Sequence, residues 1–148
     1  MPTQPKSHLS TIRSANWSIE QLPGVRSQEK SLLEELGITN TNQLLKVASS
    51  PQSKQALANQ LHIKAQYVEK WVALADLARI PSIGCQYCGL LLHTGISSVA
   101  QLAQTPAHRL HQQILRLQVA TMQRRDLCPG VEEIAGWVKQ ARELAIRS

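Results

Sequence analysis

The chain has 148 residues, enough for one compact domain or for two small halves that share a core. Apolar residues make up 43% of the sequence, close to the globular average, so we expect a hydrophobic core. No run of about 18 apolar residues is present, so we expect no membrane-spanning helix. The formal net charge of +6 favours anionic partners over cationic ones.

The N-terminal segment is polar and carries Pro2 and Pro5, so we expect a flexible tail over residues 1–16. This segment lacks the apolar stretch of a secretory signal. The chain has three cysteines, and an odd count favours reduced thiols over a disulfide framework. These features are typical of a cytoplasmic protein.

An internal repeat organises the rest of the chain. The segment LPGV at residues 22–25 is matched 58 positions later by IPSI at residues 80–83. Gly37 and Gly95 keep the same offset, and so do several apolar residues around them. The predicted organisation is therefore a tail over residues 1–16, a first helical repeat over 17–79 and a second helical repeat over 80–148.

Capping residues and apolar spacing predict that both repeats are helical. Ser27 is a candidate cap for a helix over residues 28–36, and Thr39 or Thr41 for a short helix that ends at Ala48. Ser50-Pro51 is typical of a further helix start. Apolar residues at helical spacing predict a last helix in each repeat, with Trp71 and Trp137 as matched core residues. No strand pattern is evident, so we expect an all-α fold.

The junction before the first predicted helix of each repeat resembles a helix-hairpin-helix turn, in which apolar-Pro-Gly-apolar-Gly joins two helices. Glycine permits the positive φ of the tight turn, and the free N–H groups of the following helix suit a phosphate. The first hairpin keeps Gly24 but has Arg26 at the second glycine position, whereas the second has Ser82 and then Gly84. Two interpretations stay open, namely hairpins that contact phosphate and hairpins that only join packed helices.

These residues resemble a known family. The segments WVALADLAR at residues 71–79 and IPSIGCQYCGLLLHTGI at 80–96 are similar to a bacterial, mainly cyanobacterial, family of unknown function built from tandem helix-hairpin-helix repeats. The resemblance covers residues 17–146 and implies two such repeats packed as one compact all-α domain. Related hairpins in DNA-repair proteins bind the duplex backbone, and the resemblance carries that role to Gly24, Arg26, Ser82 and Gly84.

The charge is unevenly distributed, because no Asp or Glu occurs from Leu77 to Arg125. A field of one sign attracts nucleic acid or acidic protein surfaces, although a basic face can also serve solubility alone. The arginines of this stretch are Arg79, Arg109, Arg116, Arg124 and Arg125. If nucleic acid binds, we expect it to contact Ser82, Gly84, Cys85, Arg124 and Arg125, together with Gly24 and Arg26 of the first hairpin.

Cys85-x-x-Cys88 is the other candidate site, at the start of a predicted helix. Cys128 and nearby histidines could complete a zinc site, and a helix start can activate a thiol. Alternatively, both cysteines pack as small apolar residues. The spacing matches no zinc finger, so we predict no metal and no cofactor.

No catalytic motif is present, so we expect a protein that is not an enzyme. The sequence favours a non-enzymatic binding module that contacts nucleic-acid backbone through the hairpins and a basic face. The alternative is a protein–protein adaptor or scaffold that uses the same basic helical surface.

Overall fold

The computed structural model describes residues 13–121 and 129–147, and within these ranges the chain is all-helical. In this part of the chain eight α-helices follow one short 3-10 turn, Ile19–Gln21. The only extended pairing in the described ranges is an isolated bridge between Ser18 and Asn40. The helices are α1 (Ser27–Glu35), α2 (Thr41–Val47), α3 (Pro51–Leu61), α4 (Ala65–Ala78), α5 (Gly84–His93), α6 (Val99–Ala103), α7 (Ala107–Thr121) and α8 (Val131–Arg147). The predicted all-α fold is confirmed.

Short polar side chains begin several helices. Ser50 caps α3 as expected, because its hydroxyl accepts a hydrogen bond from the N–H of Ser53 at 3.1 Å. The cap of α2 is Asn40, whose side chain accepts the N–H of Gln43 at 2.9 Å. The predictions of Thr39 or Thr41 for this role are therefore wrong. Ser27 is also not a cap, since α1 already begins at this residue.

The turns after α1 and α5 have the same hydrogen bonds. The N–H of Ile38 donates to the carbonyl of Leu33 at 2.9 Å, and 58 positions later the N–H of Ile96 donates to Leu91 at 3.0 Å. Each turn contains a glycine of positive φ. In each case a glutamine of the following helix then accepts a backbone N–H with its side-chain oxygen. Gln43 accepts that of Thr39, and Gln101 accepts that of Ser97. The sequence matches at this offset thus correspond to matched local structure.

The core lies around α4 and α8. Helix α4 packs against α2, α3 and α5, while α8 packs against α6 and α7. Trp71 on α4 is 1% exposed and Trp137 on α8 is 0% exposed, so the prediction that both are core residues is confirmed. Because the chain has no Phe, leucine, isoleucine, valine and alanine fill most of the remaining interior.

The N-terminal segment is bound to the helical body from residue 15 onwards. Ala15 donates its N–H to the carbonyl of Arg79 at 2.8 Å. Trp17 donates its backbone N–H to the hydroxyl of Thr41 at 3.0 Å and its indole N–H to the carbonyl of Ala78 at 2.7 Å. Most of the predicted tail, residues 1–12, lies outside the described residues. Residues 15–17 lie across α2 and the end of α4, and we call them the N-terminal strap.

Candidate functional site

The first hairpin presents an exposed glycine turn. Gly24 has a φ of +86°, and its carbonyl accepts the indole N–H of Trp71 at 3.3 Å. Lys70 lies close to this turn, with its Cε atom 4.0 Å from the position that a Cβ on Gly24 would take. The turn is therefore held by a hydrogen bond from a core tryptophan and has one lysine beside it.

Arg26, which follows this turn, has its charge balanced within the chain. Its guanidinium lies 2.9 Å from the buried carboxylate of Glu29, and its backbone N–H donates to the same carboxylate at 3.0 Å. These hydrogen bonds lower the pKa of the Glu29 carboxyl, so the group is an anion at neutral pH. The start of α1 thus already holds a negative group of its own, which disfavours a phosphate there.

The second hairpin lies beneath the N-terminal strap. Gly84 is buried with a φ of +51°, its N–H donates to the carbonyl of Ile80 at 2.9 Å, and the ring of Trp17 covers its Cα. Ser82 is exposed and donates its hydroxyl to the side chain of Gln140 at 2.6 Å. Both hairpins therefore hold packed elements together. The remaining predicted contacts, Arg124 and Arg125, lie outside the described residues.

The two described cysteines sit in an apolar environment. Cys88 is fully buried in the core, and Cys85 packs against it half-buried. Burial raises the pKa of Cys85 and raises that of Cys88 to about 12, so both thiols are protonated at neutral pH. Protonated thiols are poor nucleophiles and poor metal ligands. Within residues 13–121 and 129–147 no three His, Cys, Asp or Glu side chains come together to hold a metal ion.

A groove of about 390 Å³ runs between α4 and the segment that precedes α6; we call it the mixed groove. Lys54, Glu69 and Asp76 line it, so charges of both signs face it. The carboxylate of Asp76 is already occupied, because it accepts the N–H of Val99 at 2.8 Å and lies 3.1 Å from the guanidinium of Arg79. The carboxylates make this groove a poor site for a polyanion.

A second groove, of about 240 Å³, lies between the turn after α5, helix α6 and the first turns of α7; we call it the polar groove. Arg109 lines it, and no Asp or Glu is among the described residues around it. A second guanidinium lies nearby, since Arg142 donates to the carbonyl of Ala103, the neighbour of the lining residue Gln104. The lining residues are Thr94, Gly95, Ile96, Gln101, Gln104, Thr105, Pro106, Arg109 and Gln113.

One wall of the polar groove is fixed by a single side chain. The amide of Gln101 donates to the carbonyl of Gly95 at 2.8 Å and accepts the N–H of Ser97 at 2.9 Å. In contrast, the side chains of Gln104, Arg109 and Gln113 form no hydrogen bond or ion pair within the described part of the chain. A rigid wall therefore faces three polar side chains that are available to a ligand.

Helix α7 continues the polar groove onto the surface. Its buried side carries Leu110 and Ile114, so its opposite side faces solvent. Arg109, Gln113 and Arg116 are exposed and follow each other at four and three residues, which places them on one side of the helix; we call these three the α7 face. Arg109 and Arg116 belong to the acid-free stretch, although they are not among the contacts expected from the sequence. Their helical spacing was the signal that could have identified them.

Comparison with known proteins identifies a family. The model of a family described as Domain of unknown function (DUF4332) matches residues 23–144. The chain belongs to this family. The match includes both hairpins, both grooves and the α7 face, and it confirms the expected membership of a family of unknown function. No curated protein and no solved structure shows significant similarity to the chain.

None of the helices in the described ranges is both long and apolar enough to cross a bilayer.

Proposed function

We propose that this chain is a non-enzymatic binding module that contacts the phosphate backbone of nucleic acid through the α7 face and the polar groove. The observation that carries this proposal is the α7 face itself. Arg109, Gln113 and Arg116 offer hydrogen-bond donors and two fixed positive charges on one exposed side of a helix. Helix α7 contains no Asp or Glu to compete for them. Arginine is well suited to phosphate, because its planar guanidinium can donate two parallel hydrogen bonds.

In this proposal the two halves are tandem helix-hairpin-helix repeats whose hairpins have a supporting role. The matched hydrogen bonds of the turns at Gly37 and Gly95 support the repeat, as do the matched packing positions of α4 and α8. Glu29 at the first hairpin and Trp17 over the second leave both hairpins poorly suited to phosphate. The proposed contact surface is therefore the α7 face, in the second repeat, and not a hairpin.

The expected affinity is modest and strongly dependent on salt. Arg109, Arg116 and Arg142 would neutralise three phosphates, for which the slope of log K against log salt is about −2.7. Phosphate contacts position a protein without reading bases, so the backbone contribution should differ little between sequences.

Fluorescence anisotropy tests the proposal. Labelled duplex DNA and duplex RNA are titrated with the protein at about 50 mM and about 200 mM salt, a range over which backbone binding weakens steeply. We expect binding at the lower salt concentration and a marked loss at the higher one. If the protein binds neither duplex at the lower concentration, the proposal fails, and the α7 face is better explained as the docking surface of an adaptor for an acidic protein.

A further inference from the structure

The polar groove has features that a phosphate backbone does not use. A phosphate only accepts hydrogen bonds, whereas the amides of Gln104 and Gln113 each carry both donors and an acceptor. Pro106 adds an exposed apolar ring to the same groove, whereas Ile96 is only 4% exposed. The lining therefore suits a flat group that packs one apolar face on Pro106 and presents a mixed hydrogen-bonding edge.

A nucleobase has this combination, because its edges alternate donors and acceptors around an apolar ring system. The volume of about 240 Å³ is below the range of roughly 300–1,000 Å³ that holds drug-sized ligands, as suits a group the size of one base. The Gln101 wall is held by hydrogen bonds to Gly95 and Ser97 before any ligand arrives. A base that enters thus meets a groove that is already formed.

We infer that the polar groove takes one unpaired nucleobase of a nucleic-acid strand, with the adjoining phosphate on Arg109. This inference rests on the proposed function and narrows the partner to strands with bulges, loops or free ends. Bases of a perfect duplex are stacked and paired, so they cannot enter a groove of this kind, whereas unpaired bases can be turned outward.

The test compares three ligands of the same length by fluorescence anisotropy, namely a perfect duplex, the same duplex with one bulged nucleotide, and a single strand. We expect the bulged duplex and the single strand to bind about tenfold more tightly than the perfect duplex, since a good pair of hydrogen bonds to a base edge is worth between about fivefold and about 150-fold. The double variant Gln104→Ala/Gln113→Ala should lose this preference, so that it binds the bulged and the perfect duplex equally. Gln112→Ala, on the exposed part of the same helix but outside the groove, is the matched control and should keep the preference.

The outcomes separate this inference from the proposed function. Equal affinity of the wild type for perfect and bulged duplexes overturns the inference and leaves the proposed function standing. Absence of binding to all three ligands contradicts both the inference and the proposed function. Competition with free nucleoside monophosphates shows whether the bound base belongs to a strand or to a free nucleotide. Weak competition supports the inference that the groove takes a base of a strand. Competition as effective as that of the unlabelled strand overturns this inference and assigns the groove to a free nucleotide.

Discussion

The indole ring of Trp17 lies directly over Gly84, with its Cζ2 atom 2.9 Å from the position that a Cβ on residue 84 would occupy. The same ring donates its N–H to the carbonyl of Ala78 at 2.7 Å. Glycine at position 84 therefore serves two purposes, because it permits both a φ of +51° and the close approach of the ring. This contact fastens the N-terminal strap onto the second hairpin.

We predict that Gly84→Ala is considerably more destabilising than Gly95→Ala. Gly95 also has a positive φ, but nothing lies within 4 Å of its Cβ position, so that variant measures backbone strain alone, about 1–2 kcal/mol. At Gly84 the displaced ring should add about 1–3 kcal/mol, as in other overpacked sites. Urea unfolding measures both losses of free energy. Equal losses would show that the ring moves aside at no cost and would contradict the tight contact.

The two core tryptophans should respond differently to replacement by phenylalanine. Alanine at either Trp71 or Trp137 should cost about 3–5 kcal/mol, as is usual for large buried side chains. The indole N–H of Trp71 donates to Gly24, whereas that of Trp137 is buried without an acceptor among the described residues. Trp71→Phe loses a hydrogen bond and Trp137→Phe removes an unsatisfied donor, so the first should cost about 1 kcal/mol more than the second. A larger loss for Trp137→Phe, measured by urea unfolding, would contradict this assignment.

Cys88 should make the protein less stable in alkali. Burial raises the pKa of its thiol from 9.0 to about 12, so above pH 9 the unfolded chain releases a proton that the folded protein retains. The free energy of unfolding should therefore fall as the pH rises from 9 towards 12. In Cys88→Ala the loss between about pH 8 and about pH 10.5 should be smaller by up to about 2 kcal/mol.

Cys85→Ala is the control for this measurement, because that thiol is only half-buried. The rest of the chain is the same in all three proteins, so its contribution to the pH dependence largely cancels in the comparison. The same pH dependence for the wild type and Cys88→Ala would show that the buried thiol does not retain its proton.

Local signals made the helices predictable, whereas tertiary contacts decided the details. Ser50-Pro51 is a local signal for a helix start that needs no distant partner, so α3 follows from the sequence. Asn40 lies between two threonines that could also cap, and the choice depends on distant partners. The Thr41 hydroxyl, for example, receives the backbone N–H of Trp17, 24 positions away.

The candidate site was less predictable than the fold for the same reason. The hairpin motif made Gly84 a candidate phosphate contact. In the structure the ring of the strap residue Trp17 covers Gly84, and no local sequence pattern indicates this contact. The acid-free stretch contains Arg109, which lines the polar groove. The polar groove forms only when the turn after α5 meets α7, so Gln104 and Gln113 could not be paired from their spacing.

The central claim is that the α7 face, and not the first hairpin, binds the backbone. The most direct measurement is duplex anisotropy at low salt with two double charge reversals. One is Arg109→Glu/Arg116→Glu on α7, and the other is Lys64→Glu/Lys70→Glu, in which Lys64 directly precedes α4 and Lys70 on α4 lies beside Gly24. Both variants change the net charge equally, so the general electrostatic effect is matched. With helical circular dichroism unchanged, the account predicts that the α7 variant loses binding while the α4 variant keeps most of it. A retained signal in the α7 variant, together with loss in the α4 variant, would contradict the account and place the contact at the first hairpin.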